Sequence, residues 1–173
     1  WAWAGCTPFK STKLVAAHFG GTRNPLVISW PKRIKPDRAI RPQFTHCVDI
    51  APTIYEILKI TPPKSVNGFD QMKLDGHSFA ATFDNASAPA ANELQFFDNN
   101  GSRGIYKEGW MACAFGNFVP WNQEASAELM KTWDSATDEW ELYHVANDFS
   151  QAENLAAKYP ERLAALKKDF LAL

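Results

Sequence analysis

The sequence predicts an α/β segment followed by an α+β subdomain in which one helix closes an antiparallel sheet. Three observations predict it. Leu26-Val-Ile-Ser-Trp30 is a nearly continuous apolar run between Pro25 and Pro31, as a strand buried on both faces reads. Beyond residue 93, short β-prone phrases alternate with Asn-Gly and Glu-Gly turn signals, the pattern of a meander. The last fourteen residues open on Pro160 and carry apolar side chains at helical spacing. The change of texture sets a boundary near residue 92, with the α/β part over 1–92 and the α+β subdomain over 93–173.

Composition narrows the function classes. The 173 residues carry a net charge of −1, so no basic excess exists to neutralise a phosphate backbone and nucleic acid is not an expected partner. The hydrophobic fraction of 46% and the charged fraction of 21% are globular proportions, which excludes wholesale disorder. No apolar run approaches the roughly 20 residues of a membrane helix, so no membrane segment is expected. Cys6, Cys47 and Cys113 are odd in number and lack CxxC spacing, which favours buried free thiols over a disulfide framework or a zinc site. The chain opens on Trp1 and reads as a piece of a longer protein.

Residues 1–24 are loop-like, and Gly20-Gly21 lets the backbone turn tightly or approach a ligand. The run 26–30 is the expected strand. Lys32, Arg33, Lys35, Arg38 and Arg41, set among prolines, read as a solvated loop, with anion binding as the lesser alternative. Asp49 is a plausible N-cap and Pro52 suits a first turn; Ile50, Ile54, Ile57 and Leu58 then share one helical face until Thr61-Pro-Pro63. Residues 61–92 read as an ordered loop with one helical turn. Leu94-Gln-Phe-Phe97, Arg103-Gly-Ile-Tyr106, Trp110 to Phe115 and Trp140-Glu-Leu-Tyr143 are the strands of the meander. Residues 116–138 form a connection of undetermined structure. In the final helix Glu161 suits the N-terminal dipole end, and Leu163, Leu166, Phe170 and Leu173 line the face that packs on the sheet.

The residues alone show no self-sufficient catalytic motif. His18, His46, His77 and His144 form no local metal pair, and no nucleophile elbow, P-loop or dinucleotide fingerprint occurs. Asp49, Asp75 and Asp148 fall where local capping explains them. The segment that stands out runs from Thr7-Pro-Phe-Lys-Ser-Thr-Lys13 to His18-Phe-Gly-Gly-Thr-Arg-Asn-Pro25. A lysine on a glycine-rich approach to a strand suits an oxyanion, and open α/β sheets bind ligands at strand ends. A surface loop with solvated lysines is the competing reading.

Five phrases in order carry a resemblance. His18-Phe-Gly-Gly-Thr-Arg-Asn-Pro25 into the run ending at Pro31 resembles the Gly-Gly-x-Arg-x-Pro segment of sulfatases. Val48-Asp-Ile-Ala-Pro-Thr53 is similar to the helix start that follows it, and Leu74-Asp-Gly-His-Ser78 to the family's Asp-Gly-x-Ser phrase. Asn100-Gly-Ser-Arg-Gly-Ile-Tyr106 with Gly109-Trp110 resembles the arylsulfatase branch. Trp140-Glu-Leu-Tyr143 to Asp148, then Glu153-Asn-Leu-Ala156, resembles the late family signature, with His144 and Phe149 as departures. Together they cover nearly the whole chain and resemble the C-terminal part of a bacterial-type arylsulfatase.

The resemblance implies an alkaline-phosphatase-like α/β domain with a smaller C-terminal α+β subdomain, and hydrolysis of a small-molecule sulfate ester. It implies a formylglycine nucleophile and Ca²⁺ held by Asp-Asp and Asp-Asn pairs. Neither pattern occurs in these residues, so both are expected upstream, in the missing N-terminal part of the same protein. No metal ligand is assigned here, and this part alone is expected to be inactive. The resemblance makes Lys13, seven residues before Gly20, the sulfate-binding and catalytic lysine, with Lys10 as the alternative. His18, which departs from the commoner Tyr-Glu before the glycines, is placed beside Lys13 as a substrate-binding candidate. Two alternatives stay open: a phosphodiesterase or phosphonate hydrolase of the same superfamily, and a non-catalytic module derived from a sulfatase.

Overall fold

The computed structural model describes all 173 residues. In chain order the elements are α1 (Ala2–Gly5), α2 (Phe19–Thr22), α3 (Ile50–Leu58), β1 (Ser65–Val66), β2 (Phe69–Asp70), β3 (Leu94–Asn99), β4 (Ser102–Lys107), β5 (Trp110–Ala114), α4 (Gln123–Thr132), β6 (Trp140–Tyr143) and α5 (Pro160–Leu171). Two compact units divide the chain: Trp1–Pro25 with Leu94–Leu173, and Leu26–Glu93.

The first unit is built on the meander β3-β4-β5-β6, antiparallel throughout. Its first two turns are Asn100-Gly101 and Glu108-Gly109, each with both residues at positive φ, the backbone that tight hairpins require. Both faces of the sheet are covered. Period-2 alternation sends Ile105, Ala112 and Leu142 to one face, where they meet Leu166 of α5 with Leu163 and Phe170 alongside. Met111, Cys113 and Tyr143 go to the other face, where Val15 and Ala17 of the N-terminal segment cover them. Burying a side chain such as Ile105 or Leu142 stabilises the fold by about 1.5–3 kcal/mol.

Helix α5 begins on Pro160, whose missing N–H falls where no helical partner exists. Lys107 on β4 pairs with Asp169 at 2.6 Å and ties the helix to the sheet. Leu173, expected on the packed face, lies beyond the helix end and is exposed, since the last turn stops at Leu171. The connection 116–138 contains α4, capped by the Asn122 side chain accepting from Ala125 N at 3.0 Å. A buried ion pair, Arg103 with Asp138 at 2.8 Å, anchors the end of that connection to β4.

The second unit centres on α3 and the turn before it. The Asp49 carboxylate is buried and accepts from His46 N at 2.7 Å and His77 N at 2.9 Å, and from the Asn92 amide. Gly76 lets the Asp-Gly-His phrase lie against this turn, since a Cβ there would overlap the Val48 carbonyl. Phe79, Ala80 and Phe83 form a small core with Trp30, Ile34 and Ile57.

Three sequence expectations are corrected. Residues 26–30 do not form a strand: Leu26, Val27 and Ile28 are 50%, 88% and 42% exposed. No strand of this chain runs beside them, and an extended segment without a ladder partner has nothing to bury it. For the same want of a neighbour Ile50, Ile54 and Leu58 are exposed, while Ile57 alone of that face joins the small core. Residues 61–92, read as a loop with one helical turn, also contain the hairpin β1-β2, whose Asn67-Gly68 turn has both residues at positive φ. The cysteines are all free, and only Cys113 is fully buried; Cys47 is exposed.

Candidate functional site

The segment singled out by the sequence, Lys10 to Gly21, lies on the sheet face opposite α5. Strand β6 explains why. Glu141 and Tyr143 are two residues apart and point to the same face, while Leu142 between them points to α5. Cys113 on β5 is the direct cross-strand neighbour of Glu141, and Met111 of Tyr143. One carboxylate, one phenol and one thiol thus meet the N-terminal segment.

The polar contacts form a chain. Lys10 Nζ donates to the Tyr143 hydroxyl at 2.7 Å and lies over its ring at 4.7 Å. The Tyr143 hydroxyl lies within electrostatic reach of the Glu141 carboxylate. Glu141 Oε2 accepts from His18 Nε2 at 2.8 Å, and His18 Nδ1 meets Ser11 Oγ at 2.8 Å. In the neutral ring, donation to Glu141 leaves Nδ1 to accept the serine proton. The Gln151 side chain, fully buried, accepts from Phe19 N at 2.8 Å and donates to Ala17 O at 3.2 Å. Ser102 Oγ accepts from Ala17 N at 3.0 Å.

Burial pushes the Glu141 carboxyl up, but the hydrogen bond from His18, the nearby Tyr143 hydroxyl and the charges of His18 and Lys10 outweigh it, so it titrates below an ordinary glutamate. Burial, with the Glu141 charge beside it, pushes the Tyr143 phenol far up and keeps it a donor. Burial likewise holds the Cys113 thiol well above its usual value, so it stays protonated and inert.

The sequence candidates have distinct fates. Lys13 is exposed and has no hydrogen bond or ion pair with the rest of the chain, so its ammonium is free to meet an anion. Lys10 is half-buried and engaged with Tyr143. His18 is 7% exposed and both ring nitrogens have partners within the protein. Ser11, His18 and Glu141 are the residue types of a hydrolytic relay, yet Ser11 is 2% exposed and offers a substrate no approach. Gly20 and Gly21 serve a close approach, but to the chain's own loop: a Cβ on either would overlap backbone carbonyls of Lys10, Ser11 or Val15. Arg23 is spent on aromatic stacking, its guanidinium 4.1 Å from the Phe149 ring centre. No local pattern marks Glu141, Tyr143, Gln151 or Ser102, each more than 80 residues from its partner.

One group of metal-capable donors is gathered, His18, Cys113 and Glu141, with ligand atoms within 4.8 Å of one another. Calcium takes roughly six to eight oxygens, and an imidazole, a protonated thiol and one carboxylate do not fit it. Glu141 already accepts from His18, with the Lys10 charge nearby, so the group is a hydrogen-bonded carboxylate and imidazole beside a thiol. An open hollow of about 410 Å³, lined by Phe115, Glu139, Trp140, Glu141 and Asn154, borders the carboxylate. No helix is long and apolar enough to cross a membrane.

A meander covered by a helix on one face and by a lysine-bearing glycine loop on the other defines an α+β subdomain. By sequence the chain is a homologue of sulfatases. It is 31% identical to an uncharacterized sulfatase of Schizosaccharomyces pombe over 169 residues, 96% of this chain and 27% of that protein. It is 27% identical to a sulfatase of Formosa agariphila over 147 residues, 83% of this chain and 24% of that protein. No family model matches. Two solved structures share the fold: one from work on the metabolism of multiple glycosaminoglycans by Bacteroides thetaiotaomicron (TM-score 0.61, 21% identity, 91% of this chain and 30% of that one), and Ps i-CgsB (TM-score 0.66, 18% identity, 96% and 32%). The chain spans about a quarter of the length of these curated relatives, and a C-terminal portion of a sulfatase fits that coverage.

Proposed function

We propose that the chain is the C-terminal part of an arylsulfatase, a sulfuric ester hydrolase whose substrate is a small-molecule sulfate ester. In this reading residues 1–92 belong to the main α/β domain and residues 93–173 form the closing subdomain, against which Trp1–Pro25 of the former packs. A formylglycine nucleophile and Ca²⁺ are supplied by the rest of the protein, and the 173 residues alone do not turn over. Lys13 contacts the sulfate, and His18 acts by holding the loop. The observation that carries the reading is the free ammonium of Lys13 on a fully anchored glycine loop, in a chain whose sequence relatives are sulfatases.

Charge develops on the sulfate and leaving-group oxygens as the ester bond breaks, and a cation fixed beside them stabilises that state more than the ground state. Losing one such contact raises the barrier by about 3 kcal/mol, a loss on the order of 10²-fold in rate. The test uses the complete protein with 4-nitrophenyl sulfate and, as the rival substrate, bis(4-nitrophenyl) phosphate. Sulfate turnover that falls on the order of 100-fold in Lys13→Met supports the reading. Turnover of the phosphodiester alone, or full sulfatase activity in Lys13→Met, refutes it.

A further inference from the structure

We infer that Glu141 and Tyr143, the alternate residues of the Glu-Leu-Tyr strand, are positioning residues that clamp both ends of the loop 10–18 and so fix the backbone from which Lys13 projects. This rests on the reading of Lys13 as the sulfate contact.

Lys13 is exposed and makes no hydrogen bond or ion pair of its own, so its usefulness depends on what holds its backbone. A lysine on a mobile loop would lose much of its advantage in being ordered at each encounter. The loop conformation is not one the chain adopts by itself: Ser11 and Leu14 flank Lys13 at φ +62° and +79°, left-handed values that a residue with a Cβ holds only under constraint. The constraint is visible at each end. Tyr143 receives Lys10, three residues before Lys13, and Glu141 receives His18, five residues after it. Ser11 closes the loop on itself through His18. Asn99 donates to Leu14 O at 3.0 Å, and Ser102 and Gln151 hold Ala17 and Phe19. Beneath, Gly20 N donates to Lys10 O at 2.9 Å, and the glycines leave no gap.

Strand β6 can do this because side chains two apart share a face. Leu142 carries α5 on one side while its neighbours carry the loop on the other. The inference assigns the late Glu-Leu-Tyr phrase and the early glycine phrase to one device.

The experiment is a pair of double-mutant cycles on kcat/KM for sulfate ester hydrolysis by the complete protein. Tyr143→Phe keeps the ring and its packing and removes the hydroxyl; Glu141→Gln keeps the shape and removes the charge. Each is made alone and with Lys13→Met. The expected result is a loss of about tenfold or more for each single variant, with no further loss when Lys13 is already absent. A merely structural role would give the same fold-loss in both backgrounds, and that additivity overturns the inference while leaving Lys13 in place. A Lys13→Met protein with undiminished kcat/KM removes the reading of Lys13 and this inference together. Thermal melts accompany each variant; if Tyr143→Phe does not fold, the Glu141→Gln cycle decides.

Discussion

Gly21→Ala is expected to loosen the loop that carries Lys13, and its cost can be built from the structure. A Cβ at position 21 would overlap the Val15 carbonyl, with the Thr12 carbonyl next nearest. Both neighbours are backbone, so no side chain can swing away and the loop must lift. Val15 is 1% exposed and Ala17 fully buried against Met111, Cys113 and Tyr143, so lifting returns apolar surface to water. Partial exposure of one valine costs about 1–2 kcal/mol, and the strain of an overpacked site adds about 1–3 kcal/mol. The expected loss is about 2–5 kcal/mol, read as a lowered urea midpoint at unchanged slope. Gly5→Ala is the control, because nothing lies within 4 Å of a Cβ there. Equal midpoints for Gly21→Ala and the parent would refute the claim that Gly-Gly exists for close packing on the loop 10–15.

Four further outcomes follow from the geometry. Leu166→Ala empties a site enclosed by Ile105, Ala112 and Leu142 and should cost about 2–5 kcal/mol by chemical denaturation. Asp49→Ala removes the acceptor of the part-buried amides of His46 and His77 and should cost about 1–3 kcal/mol in the same assay. Because the folded Glu141 carboxyl titrates below its unfolded value, its contribution is fully present above the ordinary glutamate range and fades as pH falls through the folded pKa; Glu141→Gln should therefore flatten the acid limb of stability against pH. A thiol reagent at neutral pH should label Cys47 in the native protein and reach Cys113 only on unfolding, as mass spectrometry of the labelled peptides would show.

The legible parts of the fold were those set by local chemistry. Asn100-Gly101 and Glu108-Gly109 marked turns that only left-handed backbone can make, and Pro160 with Leu163, Leu166 and Phe170 marked α5. Asn67-Gly68 carried the same signal for the small hairpin and was passed over, since two-residue strands leave little periodicity to read. The run 26–30 has strand composition, but pairing depends on a neighbour that composition does not supply. The segment that holds Lys13, His18 and the glycines stands out in the sequence because these residues lie together in it. What holds them was hidden: Glu141 and Tyr143 are 123 and 133 residues from His18 and Lys10. One hint was available. Met111 to Ala114 is apolar without alternation, which requires a cover on both faces of the sheet, and α5 could supply only one.

The union of the first two dozen residues with the last eighty has a consequence for how the polypeptide is made. Lys10 to His18 leave the ribosome well before the strand that receives them, which is finished only after Tyr143 has been added. Until Met111, Cys113 and Tyr143 are all in place Val15 and Ala17 lack their full cover, and the closure that eventually joins them spans more than 90 residues. A nascent chain halted before β5 would carry that apolar stretch uncovered, a natural target for chaperones during synthesis.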